Sequence, residues 1–214
     1  TVLEINPEYT EAFNNLGSVL KELGQLDTAV KSYQKVLTFK PDFAEVHYNL
    51  GVTLQELGQL DAAVKSYEQA LEIKPDYAEA NNSLGNALKE LCKLGKALKG
   101  YEKALGINPE VAEAHYNRGI THEGLKQLDD AIKHYEQALE IKPDYTEAHY
   151  NLGIAHKDLG QLDAALKSLE KALPIEPNFA EAHYNLGATH KGLGQMDETF
   201  TSYKRAILLH TDIQ

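Results

Sequence analysis

Residues 44–77 read AEVHYNLGVTLQELGQLDAAVKSYEQALEIKPDY, and residues 112–145 read AEAHYNRGITHEGLKQLDDAIKHYEQALEIKPDY. The two stretches superpose without a gap. Self-similarity at a fixed period of roughly 20–50 residues marks a stack of small helical or strand units rather than one globular core. The period extends along the chain: Pro7, Pro41, Pro75, Pro109, Pro143 and Pro177 are each 34 residues apart. Leu-Gly pairs keep the same step at 16–17, 50–51, 84–85, 152–153 and 186–187, with Arg118-Gly119 in the remaining copy. Ala29, Ala63, Ala97, Ala131 and Ala165 each precede by four positions a large side chain, Tyr33, Tyr67, Tyr101, Tyr135 or Leu169. The division that follows is 10–43, 44–77, 78–111, 112–145, 146–179 and 180–213, with 1–9 matching the tail of a preceding unit.

One unit contains two helices. In 44–77 the core-type residues at 47, 50, 51, 54 and 57 have helical spacing. Asp42 and Glu45 form a capping-box-like pair at the start of this first helix, helix A, and Gly58 is placed to end it in the left-handed conformation. Asp61 stands as the cap of helix B, whose apolar face is Ala63, Val64, Tyr67, Ala70, Leu71 and Ile73. Pro75 then stops the helix. The chain reads as all-α, and no single pair can bury its apolar faces without neighbours.

Leu-Gly, Ala-x-x-x-Tyr and Pro at a step of 34 resemble the tetratricopeptide repeat family over residues 10–213. The resemblance implies a right-handed superhelix of paired antiparallel helices, with one side of helix A lining a concave groove. The family's first aromatic is Phe13 in the first unit, but His47, Asn81, His115, His149 and His183 afterwards.

Composition narrows the function. The formal net charge is -11, and duplex binders gain affinity by neutralising phosphates with Lys and Arg. Nucleic acid is therefore not an expected partner. No apolar run is long enough to span a bilayer, so no membrane role is expected. The single cysteine, Cys92, allows no internal disulfide and fits a reducing, cytoplasmic setting. The polar residues recur in every unit, whereas a catalytic site is one asymmetric constellation. The chain is read as no enzyme, with no catalytic residue, metal or cofactor.

On a helical projection the second, sixth, ninth and thirteenth positions of helix A face away from the pair's own core. The second position is Glu11, Glu45, Glu79, Glu113, Glu147 and Glu181; the sixth is Asn15, Asn49, Ser83, Asn117, Asn151 and Asn185. A side-chain amide both donates and accepts, so such a ladder can read an extended backbone. The ladder is similar to the asparagine ladder in the solenoid of the O-linked N-acetylglucosamine transferases. The alternative is that these Asn bond to adjacent helices and shape the stack. Six carboxylates in register favour a basic or amide-rich partner, although each Glu also stands where a capping box would use it. Tyr48, Tyr116, Tyr150 and Tyr184 flank the stripe, either as contact residues or as packing.

Other clusters carry less. Lys21, Lys89, Lys157 and Lys191 read as solvated charges. His115/His122, His149/His156 and His183/His190 are two helical turns apart, about 10 Å, too far for one pair to chelate one ion. They read as half-buried core histidines. Position two is Glu throughout, so the basic clamp with which chaperone-binding members hold an acidic C-terminal tail is absent. The expected function is a protein-interaction scaffold binding an extended peptide or partner protein. Alternatives are a self-assembling solenoid whose uncapped ends make homo-oligomers, and the substrate-selecting region of a larger glycosyltransferase-type enzyme.

Overall fold

The computed structural model describes residues 7–211, with side chains from Tyr9 onward. Residues 1–6 of the expected preceding-unit remnant, and positions 212 and 213 of the last unit, lie outside the described residues. Among the described residues there are twelve α-helices and no strand. The chain divides into two compact units, Thr1–Pro109 and Glu110–Gln214. The first holds α1 (Pro7–Glu22), α2 (Leu26–Phe39), α3 (Ala44–Glu56), α4 (Leu60–Ile73), α5 (Ala78–Glu90) and α6 (Leu94–Ile107). The second holds α7 (Ala112–Gly124), α8 (Leu128–Ile141), α9 (Thr146–Asp158), α10 (Leu162–Ala172), α11 (Ala180–Gly192) and α12 (Met196–Thr211). Odd-numbered helices are the helices A and even-numbered ones the helices B. Each A packs on the B that follows it, and within each unit each B packs on the next A. The fold is an all-α solenoid of helix pairs.

The A–B contact is set by a missing Cβ. A Cβ on Gly17, Gly51 or Gly85 would lie 2.6 Å from the ring of Tyr33, Tyr67 or Tyr101, and on Gly119 it would lie 2.5 Å from that of Tyr135. Those four rings are at most 1% exposed. Burial of a phenol requires a partner for its hydroxyl. Tyr67 donates to Gln55 Oε1 at 2.9 Å, Tyr101 to Asn86 Oδ1 at 2.8 Å and Tyr135 to Glu123 Oε2 at 2.7 Å. Burial, and then the hydrogen bond to Glu123, push the Tyr135 pKa far above its usual value.

The A-to-B turn is a Schellman-type end. Gly58 has φ 71°, its N–H bonds to Gln55 O, and the Gln59 N–H reaches back to Leu54 O at 2.8 Å. Gly24, Gly160 and Gly194 repeat the positive φ, but Cys92 and Lys126 adopt it without being glycine, at φ 56° and 63°. The helix starts depart from the sequence reading. The residue capping α3 is Phe43, not Asp42, and that capping α4 is Gln59, not Asp61; neither makes a side-chain capping bond. Glu45 lies in the first turn of α3 and Asp61 in the first turn of α4, where the positive helix end favours a carboxylate without a box. The cap site of the helices A is given to an aromatic or apolar residue because that side chain is used in packing. Pro174, which lacks an N–H, ends α10 at Ala172, earlier than its counterparts.

One core position varies among the helices B, and α6 has Gly100 there. Ser32, Ser66, Ser168 and Ser202 are buried on their helices B, and α8 has His134 there, 7% exposed. Its ring stacks on His122 at 5.2 Å and lies 6.0 Å from His115, both on α7. Its Nδ1 lies 2.8 Å from Gln137 Oε1. Burial, and then the Arg118 guanidinium, push the His134 pKa down to about 4; the Gln137 bond opposes this, and His122 and His115 add to it.

Two outcomes are expected. Cys92→Gly and Lys126→Gly each remove a left-handed side chain costing about 1–2 kcal/mol, partly offset by the freer unfolded glycine, for a net gain of about 0.5–1 kcal/mol in urea denaturation. A loss in both would contradict the strain argument. His134 has a folded-state pKa below its unfolded value of 6.5. Its contribution to stability is therefore present above about pH 6.5 and is lost as pH falls toward about 4. His134→Ser should shrink the fall in melting temperature between pH about 7.5 and about 5; an unaltered fall would place the effect elsewhere.

Candidate binding face

The outward stripe of the helices A begins with carboxylates. Glu11, Glu45 and Glu79 in the first unit, and Glu113, Glu147 and Glu181 in the second, are all exposed. Nearby phenols register their field. Tyr77 is pushed up to about 12 by burial first, then by Tyr48, Glu45 and Glu79. Tyr116 reaches about 12 through burial, then Glu147, opposed by a hydrogen bond from Asn151. The Glu row is thus a solvent-facing source of negative potential along each unit.

The Asn row is not uniformly open. Asn15 is exposed, Asn49 is half-buried with its Nδ2 3.4 Å from Asn14 Oδ1, and Asn117 is buried. Asn151 Nδ2 donates to the Tyr116 hydroxyl at 3.0 Å, and Asn185 Nδ2 to the Tyr150 hydroxyl at 3.0 Å. Asn185 also donates to Glu181 O, and its Oδ1 accepts from Lys157 Nζ. The stack-shaping role of the amides is therefore present in the second unit, from each helix A back to the one before it. Lys157, which reads from the sequence as a solvated charge, is thus bonded to Asn185, a pairing that nothing in the repeat spacing contains. Lys21 likewise reaches the next helix A, with Nζ 3.3 Å from Glu56 Oε1.

The tyrosines sit between these rows. Tyr48 packs on Tyr77 with ring centroids 5.0 Å apart, Tyr116 on Tyr145 at 4.8 Å and Tyr150 on Phe179 at 4.7 Å. Those partners are the residues at the helix cap sites, which is why the caps are aromatic. Tyr48, Tyr116 and Tyr150 are half-buried, while Tyr184 is 58% exposed.

The histidines are engaged locally. His47, His149 and His183 place Nε2 at 2.8, 2.9 and 3.0 Å from Pro41 O, Pro143 O and Pro177 O. His122, His156 and His190 place Nδ1 2.6–2.8 Å from the Oε1 of Gln127, Gln161 and Gln195. Each replaces an aromatic of the family pattern with a ring that also tethers a turn. Among the described residues no group of three His, Cys, Asp or Glu side chains is placed to hold a metal, and no helix is long and apolar enough to cross a membrane. Cys92 is exposed at its turn.

Comparison with known proteins bears on the same repeats. Family patterns described as TPR repeat match residues 17–58, 54–91, 124–160 and 155–194, and tetratricopeptide repeat patterns match 1–31, 78–111 and 180–209. No curated protein matches the chain. Among solved structures, the chain is similar to MamA at 25% identity and TM-score 0.73, over 76% of this chain and 95% of that one. It is similar to YrrB, described as a TPR protein with an unusual peptide-binding site, at 25% identity and TM-score 0.73, over 86% and 94%. PilW, a type IV pilus biogenesis factor, shares the fold at 24% identity and TM-score 0.80, over 90% of each chain.

Tyr116→Phe removes the acceptor that Asn151 uses. The expected cost is about 0.5–1.5 kcal/mol in chemical denaturation, the range for one such hydrogen bond. No loss of stability would mean that the amide bonds equally well to water.

Proposed function

Because the chain belongs to the tetratricopeptide repeat family, we propose that it is a non-catalytic scaffold binding an extended segment of another protein on the outward stripe of its helices A, over units divided as 10–43 through 180–213. The observation that carries this reading is the row of exposed carboxylates beside partly open amides and phenols, Glu113, Glu147 and Glu181 with Asn151, Tyr150 and Tyr184 in the second unit, and Glu45 and Glu79 with Asn49 and Tyr48 in the first. YrrB, a structural neighbour with a peptide-binding site, supports bringing a peptide ligand to this chain. The Glu row selects for Lys or Arg side chains, because complementary potential steers encounter and like charge repels. A Tyr hydroxyl that accepts from Asn keeps its own hydrogen, and an Asn with one N–H engaged keeps another, so both can still meet a peptide backbone. The Glu row equally disfavours an acidic tail.

Fluorescence anisotropy with an extended Lys-rich peptide tests the reading. Binding should weaken as salt is raised. Replacing Glu113, Glu147 and Glu181 together by Gln should weaken it roughly tenfold and flatten the salt dependence, with the melting temperature little changed. Equal affinity of the wild type and the triple variant would move the peptide off this face.

A further inference from the structure

A groove runs between α8 and α10 of the second unit. Both helices pack on α9 but not on each other, so a channel stays open between them with α9 as its floor. Its cavity is about 980 Å³. His149, Leu152 and His156 of the floor lie on the side of α9 turned away from the Glu and Asn rows. The two walls carry opposite charge. Glu136 and Glu140 of α8, with Asp144 just beyond its end, form one wall. Lys167 and Lys171 of α10 form the other. All five are exposed, and among the described residues no ammonium of one wall pairs with a carboxylate of the other.

The next joint of the same unit shows how such a groove is tied. A cavity of about 440 Å³ there is lined by Pro177, His183 and Ser202, each 34 residues after Pro143, His149 and Ser168 of the first groove. Asn178 and Arg205 stand at the repeat positions of Asp144 and Lys171. Arg205 Nη2 donates to Asn178 Oδ1 at 3.0 Å and ties α12 to the loop after α10. Asp144 and Lys171 make no such tie, and theirs is the larger groove.

The floor decides the kind of occupant. Leu139 and Ala164 are half-buried and Leu152 is buried. The polar groups beside them turn to their own backbone: His149 Nε2 lies 2.9 Å from Pro143 O, and Ser168 donates to Ala164 O at 3.0 Å. The groove helices hold their backbone groups in their own ladders, so an extended chain laid here would lose water without gaining partners. A helix satisfies its own backbone. It also presents separate stripes to a floor and two walls, where a strand presents only two faces.

We propose that this groove holds an amphipathic helix of another protein, its apolar stripe on the floor, a Lys or Arg row against Glu136, Glu140 and Asp144, and a Glu or Asp row against Lys167 and Lys171. The four-residue step within each wall is about 6 Å along its helix, the step that a docked helix repeats. Rows of both signs set the direction in which the helix lies, and a helix with two rows of one sign is repelled from one wall. The groove shares no residue with the peptide-binding stripe, so the two sites succeed or fail separately.

The test is fluorescence anisotropy with a labelled helical peptide carrying a Leu stripe flanked by one Lys row and one Glu row. Saturable binding is expected below roughly 1 mM. Lys167→Glu with Lys171→Glu should weaken it roughly tenfold, because attraction along one wall becomes repulsion. Lys31→Glu with Lys35→Glu makes the same change in net charge on α2 and should leave it unchanged. Replacing Glu113, Glu147 and Glu181 together by Gln should also leave it unchanged. The Cα resonances of the bound peptide should take helical values. No binding up to roughly 1 mM, equal loss in the two Lys variants, or extended Cα values each overturn the proposal. A wild-type mass in light scattering that rises above 23.8 kDa with concentration, and does not in Lys167→Glu with Lys171→Glu, would give the groove to a second copy and overturn it equally.

Discussion

The contact on which the rest of the structure depends is the tyrosine ring laid on a glycine between helices A and B. It fixes the distance between the two helices, because a methyl group at Gly51 or Gly119 would enter the ring of Tyr67 or Tyr135. It also fixes rotation, because each ring must bring its hydroxyl to a polar side chain of the facing helix, Gln55 for Tyr67 and Glu123 for Tyr135. Once spacing and rotation are set, the outward stripe of helix A is set too, and with it the direction in which the Glu and Asn rows point. At Gly153 the same space is filled by Leu169, which offers bulk and no hydroxyl, so the pairing there is apolar alone.

A second constraint acts between repeats. The residue at each helix A cap site is asked to do two things, to satisfy the first turn and to cover the preceding tyrosine. Tyr77, Tyr145 and Phe179 do the second, and none of them, nor Phe43, makes a capping bond with its side chain. In Phe43, Tyr77 and Tyr145 the ring also lies under a lysine, Lys40, Lys74 or Lys142, 4.3–4.7 Å from the ring centre. A cap is worth about 1 kcal/mol, comparable to one aromatic pair, and the ring additionally removes apolar surface from water. Packing between repeats therefore outweighs local capping at this position.

This explains what could be read from the sequence and what could not. The period, the two helices per unit, the glycine of the tight contact and the left-handed turn glycines are legible because each rests on sterics at one position. Asp42 and Asp61 satisfy a local rule, yet the cap sites fall to Phe43 and Gln59, and at Tyr77, Tyr145 and Phe179 the cap site serves a tyrosine about thirty residues back along the chain. Cys92 and Lys126 hide their left-handed geometry because only the repeat alignment, not residue type, reveals it. The amide ladder was legible as a row, but its hydrogen bonds to Tyr116 and Tyr150 depend on how adjacent helices A are spaced, which no single helix projection contains.

The same side chains thus serve stacking and recognition, and this is a property of the fold rather than a coincidence. A helix A can present to a ligand only what its neighbours leave unengaged, and its neighbours differ from it by one translation. Where a tyrosine is met by the next repeat, its ring is spent on packing and only its hydroxyl hydrogen remains for a ligand. Tyr184 meets the ring of Tyr203 at 5.5 Å and is the most exposed of these four tyrosines. Interior positions can then offer weak, repeated polar contacts that tolerate many peptide sequences.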